Sequence, residues 1–151
     1  MRLLTAIAFT STIATTSFAD TWHVPDDYAT IQGAIDVAFA GDTVLVSPGT
    51  YYEPIDYLTK NIIVMSTDGP EVTIIDGTKT SESLASLVHC YAPSRLQGFT
   101  LQNADGGTPV DQDGTLIVGG GVRILAGDPV IEDCIFDSCH SGYGGGIHAG
   151  G

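Results

Sequence analysis

The chain has 151 residues, enough for one modest domain. Its 18 acidic residues outnumber 5 Lys and Arg, for a formal net charge of −13. Binding to a nucleic-acid backbone needs clustered bases, so that partner class is excluded, and an acidic polymer would need bridging cations. Glycine is frequent, with 19 residues, and accompanies many Val, Ile and Thr, which indicates β structure with tight turns.

Met1-Arg2 is a short basic start, Leu3 to Ile13 is mostly apolar, and Ser17-Phe18-Ala19 places small residues where a signal peptidase reads. Residues 1–19 are therefore expected to be a secretory signal peptide cleaved before Asp20, and no later segment is long and apolar enough for a membrane span. The mature chain is expected to be secreted, periplasmic or at the cell surface.

Thr21-Trp22-His23-Val24 reads as a strand stopped by Pro25. Thr30 is a helix N-cap candidate, and Ile31, Ala34, Ile35 and Ala38 fall at i, i+3, i+4 and i+7, one apolar face of a short helix. Gly41 is the expected left-handed cap at its end. A helix in this place can cover the open end of a β stack. Thr43–Ser47 reads as a strand, and Pro48-Gly49-Thr50-Tyr51 as a turn. Further strands are expected over Asn61–Ser66, Val72–Gly77, Ser86–Cys90 and Leu96–Asn103, with continuous apolar runs that suit parallel stacking and no Asn-Gly or Asp-Gly hairpin links between paired strands.

A repeat closes the sequence. Gly119-Gly120-Gly121-Val122-Arg123-Ile124 is echoed by Gly144-Gly145-Gly146-Ile147-His148-Ala149, 25 residues later, with the strand-forming run Pro129–Phe136 between them. Gly98–Asn103 aligns with Asp133–Ser138 at an offset of 35, and the ten extra residues fall in a polar loop between Ala104 and Thr115. Short strands at such a period indicate stacked coils, with glycine at corners where side chains would clash.

Thr30-Ile31-Gln32-Gly33-Ala34-Ile35, Gly41-Asp42-Thr43-Val44-Leu45-Val46 and Pro48-Gly49-Thr50-Tyr51, followed by Leu96–Leu101, Ile131–Phe136 and the glycine triplets, resemble secreted proteins of the pectin-lyase-like superfamily. The resemblance covers the whole mature chain. It implies an all-β fold, a right-handed parallel β-helix (solenoid) over residues 20–151, with a short N-terminal capping α-helix. About five coils of about 25 residues are expected. The chain stops at Gly150-Gly151 without an evident cap, so it is expected to be an N-terminal portion of a longer protein or a truncated reading frame. The superfamily spans polysaccharide lyases, hydrolases, esterases, epimerases and surface proteins without known catalysis, so the resemblance implies no single reaction.

Candidate sites are sparse. Asp105, Asp111 and Asp113 crowd the inserted loop, and Asp111-Gln112-Asp113-Gly114 resembles part of a calcium loop, against the competing reading of a solvated turn. Cys90, Cys134 and Cys139 are odd in number and read as buried fillers, with a bridge between Cys134 and Cys139 as the other reading. Among the histidines, His23, His89, His140 and His148, none has metal-pair spacing; His89 and Cys90 are adjacent on a strand and point to opposite faces, and His148 reads as an exposed or stacked histidine, with a place facing the lateral groove as the other reading. Glu132 and Asp133 likewise point apart, Cys134 and Phe136 are expected inward, and Arg95, Arg123, Lys60 and Lys79 adjoin no acidic cluster in sequence. Without a convergent catalytic set, the expected function is a secreted or cell-surface scaffold whose candidate partners are polysaccharides or cell-surface glycans. The alternative is the N-terminal part of a polysaccharide-acting lyase or glycoside hydrolase with its active site in later coils.

Overall fold

The computed structural model describes residues 18–79, 86–105, 120–141 and 145–150. The expected signal peptide falls almost wholly outside these residues. Among the described residues, thirteen strands of two to four residues and one α-helix carry the fold: β1 Thr21–Val24, α1 Ile31–Val37, β2 Thr43–Val46, β3 Gly49–Tyr51, β4 Ile55–Asp56, β5 Ile63–Ser66, β6 Thr73–Asp76, β7 Val88–Cys90, β8 Arg95–Gln97, β9 Thr100–Gln102, β10 Val122–Ile124, β11 Val130–Glu132, β12 Ile135–Asp137 and β13 Ile147–Ala149. From β2 onward the chain visits three sheets in rotation and returns to the first. The first sheet has the order β1-β2-β5-β8-β11, the second β3-β6-β9-β12 and the third β4-β7-β10-β13. Every pairing between these strands is parallel, which makes a solenoid-like stack of coils. No helix among the described residues is long and apolar enough to cross a membrane.

Register follows the repeat. Ile135 lies opposite Thr100 and Ile147 opposite Val122, the offsets of 35 and 25 visible in the sequence. The earlier coils differ: Thr43 pairs with Ile63 after 20 residues, and Ile63 with Arg95 after 32. Coil length is set by turns and insertions, so the strands complete four rounds, with β1 adding a further rung to the first sheet, rather than five even coils.

The strand boundaries also correct the sequence reading. Gly49–Tyr51 is a strand, not a turn, because its register with Thr73–Ile75 supplies ladder partners that a local reading cannot see. Leu96–Asn103 is two strands on two sheets, broken at Gly98 (φ 79°), and the run to Phe136 is broken likewise at Asp133 (φ 48°). A left-handed residue turns the chain by a corner and resets which side chains face inward. Hence Glu132 and Asp133 are both exposed instead of pointing apart, while Cys134 and Phe136 still pack against the core and Ile135 is 44% exposed.

The interior is a set of apolar columns. Trp22, Val44, Val64, Leu96 and Ile131 align across the first sheet, and Ile75, Leu101 and Phe136 across the second. Tyr57 is fully buried and spends its hydroxyl on Arg95 O at 2.8 Å. At the glycine corners close approach decides the residue: a Cβ on Gly120 would collide with Gly145 O, and one on Gly121 would lie 2.5 Å from Phe136 Cδ1.

Helix α1 closes one end of the stack, burying Ile31, Ala34 and Ile35 against it. Thr30 Oγ1 accepts from Gly33 N at 3.1 Å, the expected N-cap. The helix ends at Val37 and Ala38 leaves in an extended conformation (φ −62°, ψ 145°), so Gly41 (φ 98°) is not its cap. The helix ends are instead served from the coil. Glu53 accepts from Ile31 N at 2.9 Å and Gln32 N at 3.0 Å, and Lys60 Nζ donates to Ile35 O and Asp36 O, each at 2.8 Å. These charges complement the helix dipole. Gln32 completes the closure: its amide accepts from Asp56 N at 2.7 Å and donates to Asp56 O at 3.2 Å, filling the edge of β4 as a neighbouring strand would.

Leu96 is fully buried in the central column, so Leu96→Ala should cost about 2–5 kcal/mol of stability. Glu53→Gln, which keeps an acceptor and loses the charge, should cost about 0.5–2 kcal/mol. Urea unfolding midpoints check both, and the order Leu96→Ala before Glu53→Gln is part of the expectation.

Candidate functional site

Strand alternation on the third sheet sorts its side chains. Ile55, Val88 and Val122 point inward and are buried, and the next residue of each strand points out. Parallel register then stacks the outward residues in a single column: Asp56 opposite His89, His89 opposite Arg123, Arg123 opposite His148. Neighbouring rungs are about 4.8 Å apart, so the column is about 14 Å long. All four side chains are half-buried. Beside this column the ladder continues by one bond, Leu125 N to Cys90 O at 2.8 Å, which sets half-buried Leu125 opposite Tyr91, 37% exposed. The result is a polar row with an apolar margin.

The electrostatics of the row centre on His89. Burial pushes its imidazole below the ordinary value; Asp56 on β4 opposes this and Arg123 on β10 reinforces it. The ring nitrogens His89 Nε2 and His148 Nδ1 are buried without a hydrogen-bond partner among the described residues. Asp56 Oδ1 accepts from Leu58 N at 2.7 Å. The two ion pairs among the described residues, His23 with Asp27 and Arg95 with Glu132, lie elsewhere, so Arg123 is in neither.

Part of this was readable. The aligned glycine triplets place Arg123 over His148 directly. The addition of His89 and Asp56 needs the offsets of 34 and 33 residues that only the register gives. The same holds for Arg95 Nη1 and Glu132 Oε2, 2.9 Å apart on adjacent coils although 37 residues apart in the chain. In the sequence itself Arg95 has no acidic neighbour.

The residues of the expected calcium loop are only partly placed. Asp105 bridges in parallel to His140 and lines a cleft of about 270 Å³ with Asn103, Ala104, Ser138 and His140. Asp111 and Asp113 lie outside the described residues. Among the described residues, no group of three or more His, Cys, Asp or Glu is arranged to hold a metal. Other polar groups are committed to the fold. Burial pushes the Asp42 carboxyl up, but donors from Phe39 N, Asp20 N and Trp22 Nε1 hold it below the usual range. Asp76 is held low in the same way against its burial by Thr78 N, Gln102 Nε2 and Asn103 Nδ2.

The three thiols are free. Burial pushes Cys90 up to about 11 and raises Cys134 and Cys139 as well. Thiolate is the nucleophilic form, so these residues pack rather than react. His89 and Cys90 do face opposite sides of β7, the first half-buried and the second fully buried.

Comparison with protein-family models, with curated proteins and with solved structures found no match to this chain.

His89 gives a pH dependence with a definite sign. Its folded value lies below the ordinary 6.5, so the unfolded chain takes the proton first as pH falls. Its contribution is fully present above that value and is lost as pH drops through the lower folded one. Stability from urea unfolding should fall between neutral pH and about pH 5. His89→Gln should flatten that slope, and an unchanged slope would remove His89 as its source.

Proposed function

We propose that the chain is a secreted or cell-surface right-handed parallel β-helix of the pectin-lyase-like kind, acting as a glycan-binding scaffold through the outer face of its third sheet. The observation that carries this reading is the register column Asp56–His89–Arg123–His148 beside Tyr91 and Leu125. A sugar chain presents hydroxyl groups along its edges and apolar C–H faces, and a polar row with an aromatic margin complements both. A ligand lying along the stack would meet one rung about every 4.8 Å, so successive residues of a polymer would meet successive side chains of the column. The right-handed sense is supported by the general hand of parallel crossovers within one sheet. The basic and apolar start followed by Ser17-Phe18-Ala19 supports export.

The test is calorimetry of the folded chain against a panel of neutral oligosaccharides at millimolar concentration. At least one should bind, and Tyr91→Ala should weaken it by about tenfold with the fold intact by circular dichroism. Binding to none, or unchanged binding by the Tyr91 variant, would remove this reading.

A further inference from the structure

The third-sheet column holds a guanidinium flanked on both sides by imidazoles. Arg123 lies opposite His89 on β7 and opposite His148 on β13. Each imidazole keeps one ring nitrogen, His89 Nε2 and His148 Nδ1, buried and without a hydrogen-bond partner among the described residues. A neutral ring nitrogen can tolerate this in one tautomer as a weak acceptor. A protonated ring cannot, because both its nitrogens become donors and a buried unpaired donor is costly.

We propose that His89, Arg123 and His148 form an oxyanion site that opens on protonation, taking a sulfate, phosphate or carboxylate group. It rests on the outer-face reading above and names the charge class of the ligand. An oxyanion seated over Arg123 supplies the acceptor that each protonated imidazole lacks. It also offsets part of the repulsion among three cations that would otherwise stand on consecutive rungs. Without the anion, protonation of His89 beside Arg123 is opposed by like charge. Proton uptake and anion binding are therefore linked, each favouring the other.

The groups facing the site set the sense of the linkage. Asp56 on β4 is the one acidic residue of the column; it faces His89 and favours its proton. It is two rungs from Arg123, so it neither pairs with the guanidinium nor blocks it. His148 faces Arg123 from the last strand of the sheet. The chain as a whole is strongly negative, with a formal charge of −13, so oxyanions are repelled from the rest of the surface. Binding at this column is accordingly local and depends on Arg123.

Isothermal calorimetry of the whole chain with sodium sulfate, which keeps its charge across the range, tests this. Sulfate should bind about tenfold more tightly near pH 5.5 than near pH 7.5. Arg123→Gln should abolish binding at both values. The double variant His89→Gln with His148→Gln should leave weak binding that no longer changes with pH; if it does not fold, His148→Gln alone, on the outermost strand, should shrink the change. Equal sulfate affinity at the two pH values, or binding that survives Arg123→Gln, overturns the proposal. A sulfated oligosaccharide binding more tightly than sulfate places the oxyanion on a glycan, and equal affinity identifies the free ion; either retains the site. Sulfate binding without any neutral glycan binding keeps this site and removes the scaffold reading above, so the two fail separately.

Discussion

Parallel, in-register pairing is the constraint from which the other features follow. A residue in one coil sits directly over its counterpart in the next, so each position must be compatible with its neighbours above and below. Apolar residues over apolar residues make the interior columns, such as Val44, Val64 and Leu96. At the corners, where backbones approach, glycine stands over glycine, as Gly120 does near Gly145. The same rule stacks Asp56, His89, Arg123 and His148 outside, where no interior packing dictates them. Pairing also leaves an exposed first rung, and helix α1 exists in this chain to close it. Its closure is polar as well as apolar, with Glu53 and Lys60 at its two ends and Gln32 completing the edge of β4.

Much of the coil was legible in the sequence, for a physical reason. Stacked repeats leave an offset in the sequence itself, and aligning Gly98–Asn103 with Asp133–Ser138 recovered the register of β9 and β12. The helix was legible through its apolar spacing and Thr30. The short strands β3 and β4 were not, because two or three residues carry no periodicity and take their identity from partners a coil away. The helix C-terminus misled for a related reason: Lys60, 24 residues beyond Asp36, serves the last carbonyls, so no local glycine cap is needed. At the candidate site, Arg123 over His148 could be read from the triplets, whereas His89 and Asp56 join the row only through register.

The chemistry of the described residues divides cleanly between groups that hold the fold and groups that face outward. Asp42 and Asp76 are saturated with donors, and the three thiols are kept protonated by burial. The outer row differs in holding a guanidinium outside any ion pair among the described residues, two ring nitrogens without partners, and an aromatic margin. A binding surface read from such a row depends wholly on the register that builds it. A slip of one residue in β10 would move Arg123 inward and bring Val122 or Ile124 to the surface.

The most direct test is therefore of register, by nuclear Overhauser contacts in the isotope-labelled chain. Parallel stacking predicts backbone contacts between Val64 and Leu96 and between Leu96 and Ile131, together with contacts from His89 to Arg123 and from Arg123 to His148. Antiparallel contacts between consecutive strands such as β8 and β9, or a register in which Arg123 meets neither histidine, would contradict the account.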